Sequence, residues 1–300
     1  MGFNESIHRN DVSYYGRVKL CPDGTIEIMA SEKPIFRFDG WEDSGWNEPP
    51  TGEEREAEKD EPTEDDLERS RRRAAARIKD IALCSNFEWF VTLTLSAEMI
   101  DRYDYDKVIR KLGIYLSNRV QRQNLRYLLV CERHKDGALH FHGFFGGLPD
   151  KEFVPTGLYT GGTCLKRVTR RPESPADLEF YKSTGAKEVH NIPSWKYGFT
   201  TAVRLSDGYY AAITYVSKYI RKSTEKIGGR WYLSGGDLKL PEKRLCNIGV
   251  AELRKLSSAY TFCVPGNGLA IWRGKKEDLP AEYLSLIEQA VTCDLTFSGK

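Results

Sequence analysis

Apolar and polar side chains alternate along several short stretches of the chain, which is the pattern of a β-strand with one face on a core and the other face accessible. In residues 88–95 this alternation places Leu93 on one face and both Thr92 and Thr94 on the other. The pattern predicts four strands in the middle of the chain: EWFVTLTL (88–95), RYLLVCE (126–132), ALHFHGFF (138–145) and KYGFTTAVRL (196–205).

A period near 3.6 residues predicts three helices around these strands. Thr63 and Asp66 have the spacing of a capping box and mark the start of the first helix. The third helix carries an apolar stripe formed by Ala212, Ile213, Val216 and Ile220. The predicted helices are DDLERSRRRAAARIKDIALC (65–84), DYDKVIRKLGIYLSNRVQRQ (104–123) and DGYYAAITYVSKYIRKST (207–224).

The order of these elements predicts the α+β class, with a mainly antiparallel sheet, helices on one face and the other face open for chemistry. Residues 146–197 are rich in glycine and proline, so we expect a long insertion outside the core. The expected organisation is a small strand-rich N-terminal segment (1–47), an acidic flexible linker (48–62), the main domain (63–225) and a C-terminal extension without an assigned role (226–300).

Charge is distributed unevenly along the chain. Residues 48–68 hold eleven acidic and two basic side chains, a local charge of −9, so the remainder carries +11 within a total of +2. A basic body is compatible with a phosphate-backbone partner. No apolar run is long enough to span a membrane and the N-terminus lacks a secretory profile, so we expect a cytoplasmic protein without a membrane partner. The seven scattered cysteines are expected to be free thiols.

Three of the five histidines lie within nine positions. His140 and His142 are one residue apart on a predicted strand, so both imidazoles project from one face. Glu132 ends the preceding strand, and a short turn would bring its carboxylate beside them. This mixed nitrogen and oxygen set suits Mn²⁺ or Mg²⁺, although it could also hold catalytic zinc. His134 is the alternative third ligand, and ordinary surface histidines are the alternative to a metal site.

A second group of chemically active residues lies on the third predicted helix. Tyr215, Lys218, Tyr219 and Lys222 fall on one side of that helix, and Arg221 lies between them in sequence. A phenol has a pKa near 10, so its attack on phosphorus needs a metal and a nearby cation such as Lys218. Amphipathic packing is the alternative explanation of this spacing.

Taken in order, FVTLTL, E-x₇-HFH and YVSKY resemble motifs I, II and III of the HUH rolling-circle replication initiators, the Rep endonucleases of phages, prophages and plasmids. The resemblance implies a five-stranded sheet related to the ferredoxin and RNA-recognition folds. It also implies that Tyr215 nicks single-stranded origin DNA and forms a 5′-phosphotyrosine, with Tyr219 acting in alternation. The implied metal ligands are His140, His142 and Glu132, and the implied setting is a bacterial host cell.

Several basic residues are candidates for binding DNA, including a DNA hairpin at the origin. The chain has no P-loop motif, so we expect unwinding and synthesis to come from a host helicase and a host polymerase. The candidate DNA-binding residues are Lys166, Arg167, Arg170 and Arg171 in the insertion and Arg221 and Lys222 on the third helix.

Three other functions remain open at this point. A relaxase or a single-strand transposase would use the same chemistry. A non-catalytic nucleic-acid-binding module would stack bases on Phe90 and Phe144 and would need neither metal nor tyrosine. A zinc hydrolase would activate water and form no covalent intermediate.

Overall fold

The computed structural model describes residues 12–38, 63–161, 168–205, 212–213, 216, 220, 226–256, 262–264 and 268–292. The strands are β1 (Val12–Tyr14), β2 (Gly16–Leu20), β3 (Thr25–Ser31), β4 (Phe36–Phe38), β5 (Trp89–Thr94), β6 (Arg126–Arg133), β7 (Leu139–Gly146), β8 (Val154–Gly161), β9 (Val168–Arg170), β10 (Lys187–Asn191), β11 (Thr200–Arg204), β12 (Leu233–Gly235), β13 (Glu242–Cys246), β14 (Phe262–Val264), β15 (Leu269–Lys275) and β16 (Val291–Thr292). The helices are α1 (Glu64–Cys84), α2 (Tyr105–Gln123), α3 (Pro175–Ser183), α4 (Val250–Leu253) and α5 (Ala281–Glu288).

The chain divides into two compact units. Residues 61–240 form one unit, which we call the central unit. Residues 1–60 and 241–300 together form the other, the flanking unit. The central unit therefore runs to residue 240, past the limit of 225 expected for the main domain. The acidic linker predicted at 48–62 lies outside the described residues.

The central unit contains one eight-stranded sheet in the order β12-β6-β7-β5-β11-β10-β8-β9. Every neighbouring pair is antiparallel. The α+β class and the antiparallel pairing are thus confirmed, but the expected five-stranded sheet is wrong.

The three strands beyond the expected five come from the segment that was predicted to be an insertion outside the core. Within residues 146–197, strands β8, β9 and β10 continue the same sheet beyond β11. Glycine and proline in VPTGLYTG hide the alternation that would have predicted β8. Pro155 pairs with His190 where the register between β8 and β10 shifts, and a strand tolerates proline at such a bulge.

The helices of the central unit lie on both faces of the sheet, so the prediction of helices on one face is also wrong. Leu112 of α2 packs with Phe141 and Leu93 in one buried cluster. Ile78 of α1 packs with Phe144 and Leu128 in another. Phe141 and Phe144 occur three positions apart on β7 and so point to opposite faces. The sequence shows that both helices are amphipathic but not which face each one covers.

Local sequence explains where the first helix starts. The Thr63 hydroxyl accepts a hydrogen bond from the Asp66 N–H at 3.2 Å, and the Thr63 N–H donates to the Asp66 carboxylate at 3.3 Å. This is the predicted capping box, and it satisfies amide groups that have no partner inside the helix.

The flanking unit is built from both ends of the described chain. Its six-stranded sheet has the order β14-β15-β3-β2-β13-β16, and β1 and β4 form a separate two-stranded sheet. Strand β15 pairs with β3 over seven residues, from Leu269 opposite Ser31 to Lys275 opposite Thr25. Trp272, 1% exposed, lies in the core of this unit. In both units, no helix among the described residues is long and apolar enough to cross a membrane.

Candidate functional site

Two histidines lie side by side on β7, in the interior of the eight-stranded sheet. His140 and His142 project from the same face, and their ring centroids are 4.3 Å apart. Phe141 between them points to the opposite face and is fully buried. We call the side that carries the two imidazoles the histidine face.

Both imidazoles are oriented by threonines of the neighbouring strand β5. The Thr92 hydroxyl lies 3.1 Å from His142 Nδ1, and the Thr94 hydroxyl lies 3.2 Å from His140 Nδ1. In the tautomer in which each Nδ1–H donates to its threonine, each Nε2 keeps a lone pair for a metal ion. The sequence placed Thr92 and Thr94 on one face without giving them a role, and the signal it lacked was the register between β5 and β7.

Both imidazoles are held in the neutral form that a metal requires. Burial, followed by the neighbouring His140, lowers the pKa of His142 to about 3. Burial, followed by His134, lowers the pKa of His140 below its ordinary 6.5. The Glu132 carboxylate lies 3.4 Å from His142 Nε2, but the Glu132 side chain is 42% exposed. Solvent therefore screens its charge, and burial controls the pKa of His142.

Of the two candidates for a third ligand, Glu132 lies closer to the imidazole pair. It faces His140 across the β6–β7 ladder, and its carboxylate contacts His142. His134 sits in the turn, with its ring 6.4 Å from that of His140, its side chain 65% exposed and its Nδ1 3.3 Å from the Asp136 carboxylate. Contact with the imidazoles thus favours Glu132.

The chemical nature of these groups fits a divalent metal ion. Two imidazole nitrogens and one carboxylate oxygen lie at adjacent positions, and the remaining coordination positions would be open to water or phosphate. Across the described parts of the chain, no three His, Cys, Asp or Glu side chains already form a closed ligand set. His142 Nε2 and the Glu132 carboxylate oxygen are 3.4 Å apart, which is close enough for both atoms to bind one ion.

The residues predicted to attack DNA, Tyr215 and Tyr219, and the assisting Lys218 all lie outside the described residues. Ala212, Ile213, Val216 and Ile220 of the same predicted helix are described, and all four are helical and buried against α1 and Phe144. The predicted apolar stripe is therefore confirmed, and it packs on the histidine face. The predicted site residues that lie outside the description are Lys166, Arg167, Tyr215, Lys218, Tyr219, Arg221 and Lys222.

Arg170 and Arg171 are exposed, but the structure does not place them beside the histidines. Arg170 ends β9, which is five strands from β7 in the sheet order. At about 4.8 Å per strand this separation is about 24 Å. Arg171 donates a hydrogen bond to the backbone oxygen of Thr156 at 3.2 Å. These two residues belong to the far edge of the sheet.

The two aromatic residues expected to stack bases in a non-catalytic module, Phe90 and Phe144, differ in exposure. Phe144 is 0% exposed, and its ring lies 6.0 Å from that of Phe90 and 5.6 Å from that of Phe87. Phe90 is half-buried and packs against the same cluster. The Phe144 ring is therefore not available to a nucleobase in this structure, and the Phe90 ring is only partly accessible.

Comparison with known families gives a match over the middle of the chain. Residues 88–224, slightly less than half of the chain, match the family model described as Replication-associated protein ORF2/G2P. The matched segment includes the histidine strand and the helical stripe. The match is consistent with the resemblance to rolling-circle replication initiators. No curated protein and no solved structure shows significant similarity to the chain.

Proposed function

We propose, on the match of residues 88–224 to the replication-associated ORF2/G2P family, that the chain initiates rolling-circle replication by nicking and rejoining single-stranded origin DNA. The observation that carries the proposal is the pair of neutral imidazoles on β7, each bonded at Nδ1 to a threonine of β5. A surface histidine would need neither such orientation nor such burial.

His140, His142 and Glu132 would hold the metal ion, either Mn²⁺ or Mg²⁺. When bound, the ion would supply positive charge that polarises the scissile phosphate. The two threonines would keep the imidazoles in the ligating tautomer, and the low pKa of His142 would keep its Nε2 unprotonated at neutral pH.

In the proposed reaction the phenolic oxygen of Tyr215 attacks the phosphorus atom of a DNA phosphate. The bond between that oxygen and phosphorus forms while the bond between phosphorus and the 3′ oxygen breaks. The products are a 5′-phosphotyrosine and a free 3′-hydroxyl, which receives the proton that the phenol loses. Lys218 would offset charge on the phosphate or relay this proton. One phosphate ester replaces another, so the reverse step, by Tyr219 or by the 3′-hydroxyl, needs no ATP.

We also propose two host partners, a polymerase and a helicase, and a set of DNA contacts. The free 3′-hydroxyl would prime a host polymerase, and a host helicase would unwind the duplex. Of the proposed DNA contacts, Arg170 and Arg171 would bind DNA at a distance from the histidines. The full set of proposed contacts is Lys166, Arg167, Arg170, Arg171, Arg221 and Lys222.

The test uses single-stranded oligonucleotides that tile the replicon encoding the chain, labelled at either end and incubated with Mn²⁺. We expect the 3′-labelled downstream fragment to become linked to the protein while the 5′-labelled upstream fragment is released. The link should disappear with EDTA, in His140→Ala and in the Tyr215→Phe, Tyr219→Phe double variant. Tyr103→Phe, which changes an exposed tyrosine (51%) outside the proposed machinery, is the matched control.

Each competing function predicts a different result. Tight DNA binding with no covalent link under any metal would support a non-catalytic binding module. Cleavage without a covalent intermediate would support a hydrolase. Linkage only on transfer-origin or transposon-end DNA would support a relaxase or a transposase.

A further inference from the structure

Phe199 is the most exposed large hydrophobic residue in the described parts of the chain, at 75%. Its backbone is nevertheless fixed, because the Thr94 N–H donates to the Phe199 carbonyl at 2.9 Å and the Ser96 N–H donates to the Tyr197 carbonyl at 2.9 Å. Phe199 is therefore an exposed ring on a rigid segment, whereas exposed apolar residues in mobile loops have no fixed position.

Gly198 allows this close pairing of the two segments. A Cβ atom at Gly198 would lie 2.2 Å from the Thr94 carbonyl oxygen, and the backbone φ of +154° is one that other residues rarely adopt. Only glycine lets the chain approach the end of β5 so closely. The backbone thus presents Phe199 at a defined place.

The strand register places Phe199 on the histidine face. Thr200 pairs with Leu93, and both are buried on the opposite face. The next position, Phe199, opposes Thr94, whose hydroxyl contacts His140 Nδ1. Directly opposed residues share a face. Phe199 and His140 are therefore two strands apart on one face, or about 10 Å at the usual strand spacing.

The surroundings of the ring fit a nucleic-acid strand better than an apolar partner. Lys196 and Thr201, which lie three and two positions from Phe199 in sequence, are exposed, and they offer a cation and a hydroxyl to a phosphate. Stacking on an aromatic ring is how proteins hold single-stranded bases, and it tolerates any base because each has a π-face. A separation of about 10 Å corresponds to about three stacked nucleotides.

We infer that Phe199 is a stacking platform for one base of the DNA strand whose phosphate lies at His140 and His142. This inference rests on the proposed function, because it assumes that a DNA strand crosses the histidine face. Phe199 would be a positioning residue. By immobilising a base a few nucleotides from the reacting phosphate, it would set which phosphate in the strand lies over the imidazoles.

The experiment uses the full chain and replicon oligonucleotides that the wild type nicks, with 2-aminopurine substituted at successive positions around the nick. Stacking on Phe199 should quench the fluorescence of 2-aminopurine at one position. The quench should be lost in Phe199→Leu, which keeps apolar bulk without a π-face, and kept in Phe199→Trp. We expect Phe199→Leu to raise the Kd for the oligonucleotide about 5- to 100-fold, with nicking spread to neighbouring phosphates.

Ile114→Ala is the matched control, because Ile114 is an exposed apolar residue (53%) on α2, which covers the opposite face of the sheet. It should leave the Kd and the nick position unchanged. If Phe199→Leu binds and nicks the oligonucleotide as the wild type does, the inference that Phe199 stacks a base is wrong. The proposed nicking function would be unaffected by that result. A change only in oligomeric state, measured by sedimentation, would make Phe199 a protein contact and overturn the inference. If the wild type forms no covalent link with any oligonucleotide from the replicon, the proposed function itself is wrong.

Discussion

Replacing either threonine that contacts the histidines tests how the candidate metal site is oriented. Thr92→Val and Thr94→Val keep the shape and β-propensity of the side chain but remove the hydroxyl. The 3.1 Å contact to His142 or the 3.2 Å contact to His140 is then lost. Nothing else in the ligand set changes.

The structure sets the size of the expected effect. The His142 side chain is only 14% exposed. Leaving its Nδ1 without a hydrogen-bond partner should therefore cost about 1–3 kcal/mol of free energy. Removing the group that hydrogen-bonds the non-ligating nitrogen of a metal-bound histidine usually weakens metal binding about 10- to 100-fold, or about 1.4–2.7 kcal/mol. We expect a clear effect of Thr92→Val, because the His142 side chain is only 14% exposed and water can replace little of the lost contact.

Calorimetric titration with Mn²⁺ measures this effect, and ¹⁵N NMR of the imidazoles reports which ring nitrogen carries the proton. The control is Thr201→Val, because Thr201 opposes Thr92 on β11 and is exposed. The threonines have no orienting role if both variants bind Mn²⁺ with wild-type affinity and keep the wild-type tautomers.

Three further predictions concern stability. The folded-state pKa of His142 is about 3 against an ordinary 6.5, so the unfolded chain takes up this proton first as the pH falls. Urea titrations of the metal-free protein should show the unfolding free energy dropping by about 2 kcal/mol from this group between about pH 6.5 and pH 5, with a shallower drop in His142→Asn. Phe141→Ala should lower the unfolding free energy by about 3–5 kcal/mol, because the ring is fully buried; a change below about 1 kcal/mol would contradict the burial. Gly113→Ala, with open space around the added Cβ on α2, should stabilise by about 1 kcal/mol, whereas Gly198→Ala should destabilise because of its contact with Thr94.

Local patterns predicted the elements near the site well. The alternation in EWFVTLTL gave β5 with Leu93 buried, and the capping box at Thr63 gave the start of α1. The apolar stripe through Val216 also lies in a core, as its spacing indicated. These features depend on residues close in sequence, so a single sequence contains the information.

Features that depend on distant pairing were missed. Strand β8 was not predicted because Pro155 and two glycines interrupt its alternation, yet its partner β10 holds it in the sheet. The contact between Thr92 and His142 joins residues 50 positions apart, and only the strand register brings them together. The exposure of Phe199 likewise depends on its pairing with Thr94. The periodicity of one sequence shows which face of a strand a residue occupies. It does not show which residue of another strand lies opposite.

The pairing of β3 with β15 has a consequence for the order of folding during synthesis. The seven paired positions join residues 25–31 to residues 269–275, with the whole central unit between them. A ribosome that has released only the first 240 residues has produced a complete central unit, whereas β2 and β3 still lack strand β15. Because domains fold as their residues emerge and long-range pairing is slow, the central unit should acquire protease resistance first. Shortening the chain before residue 269 would then expose an N-terminal sheet edge while leaving the histidine face intact.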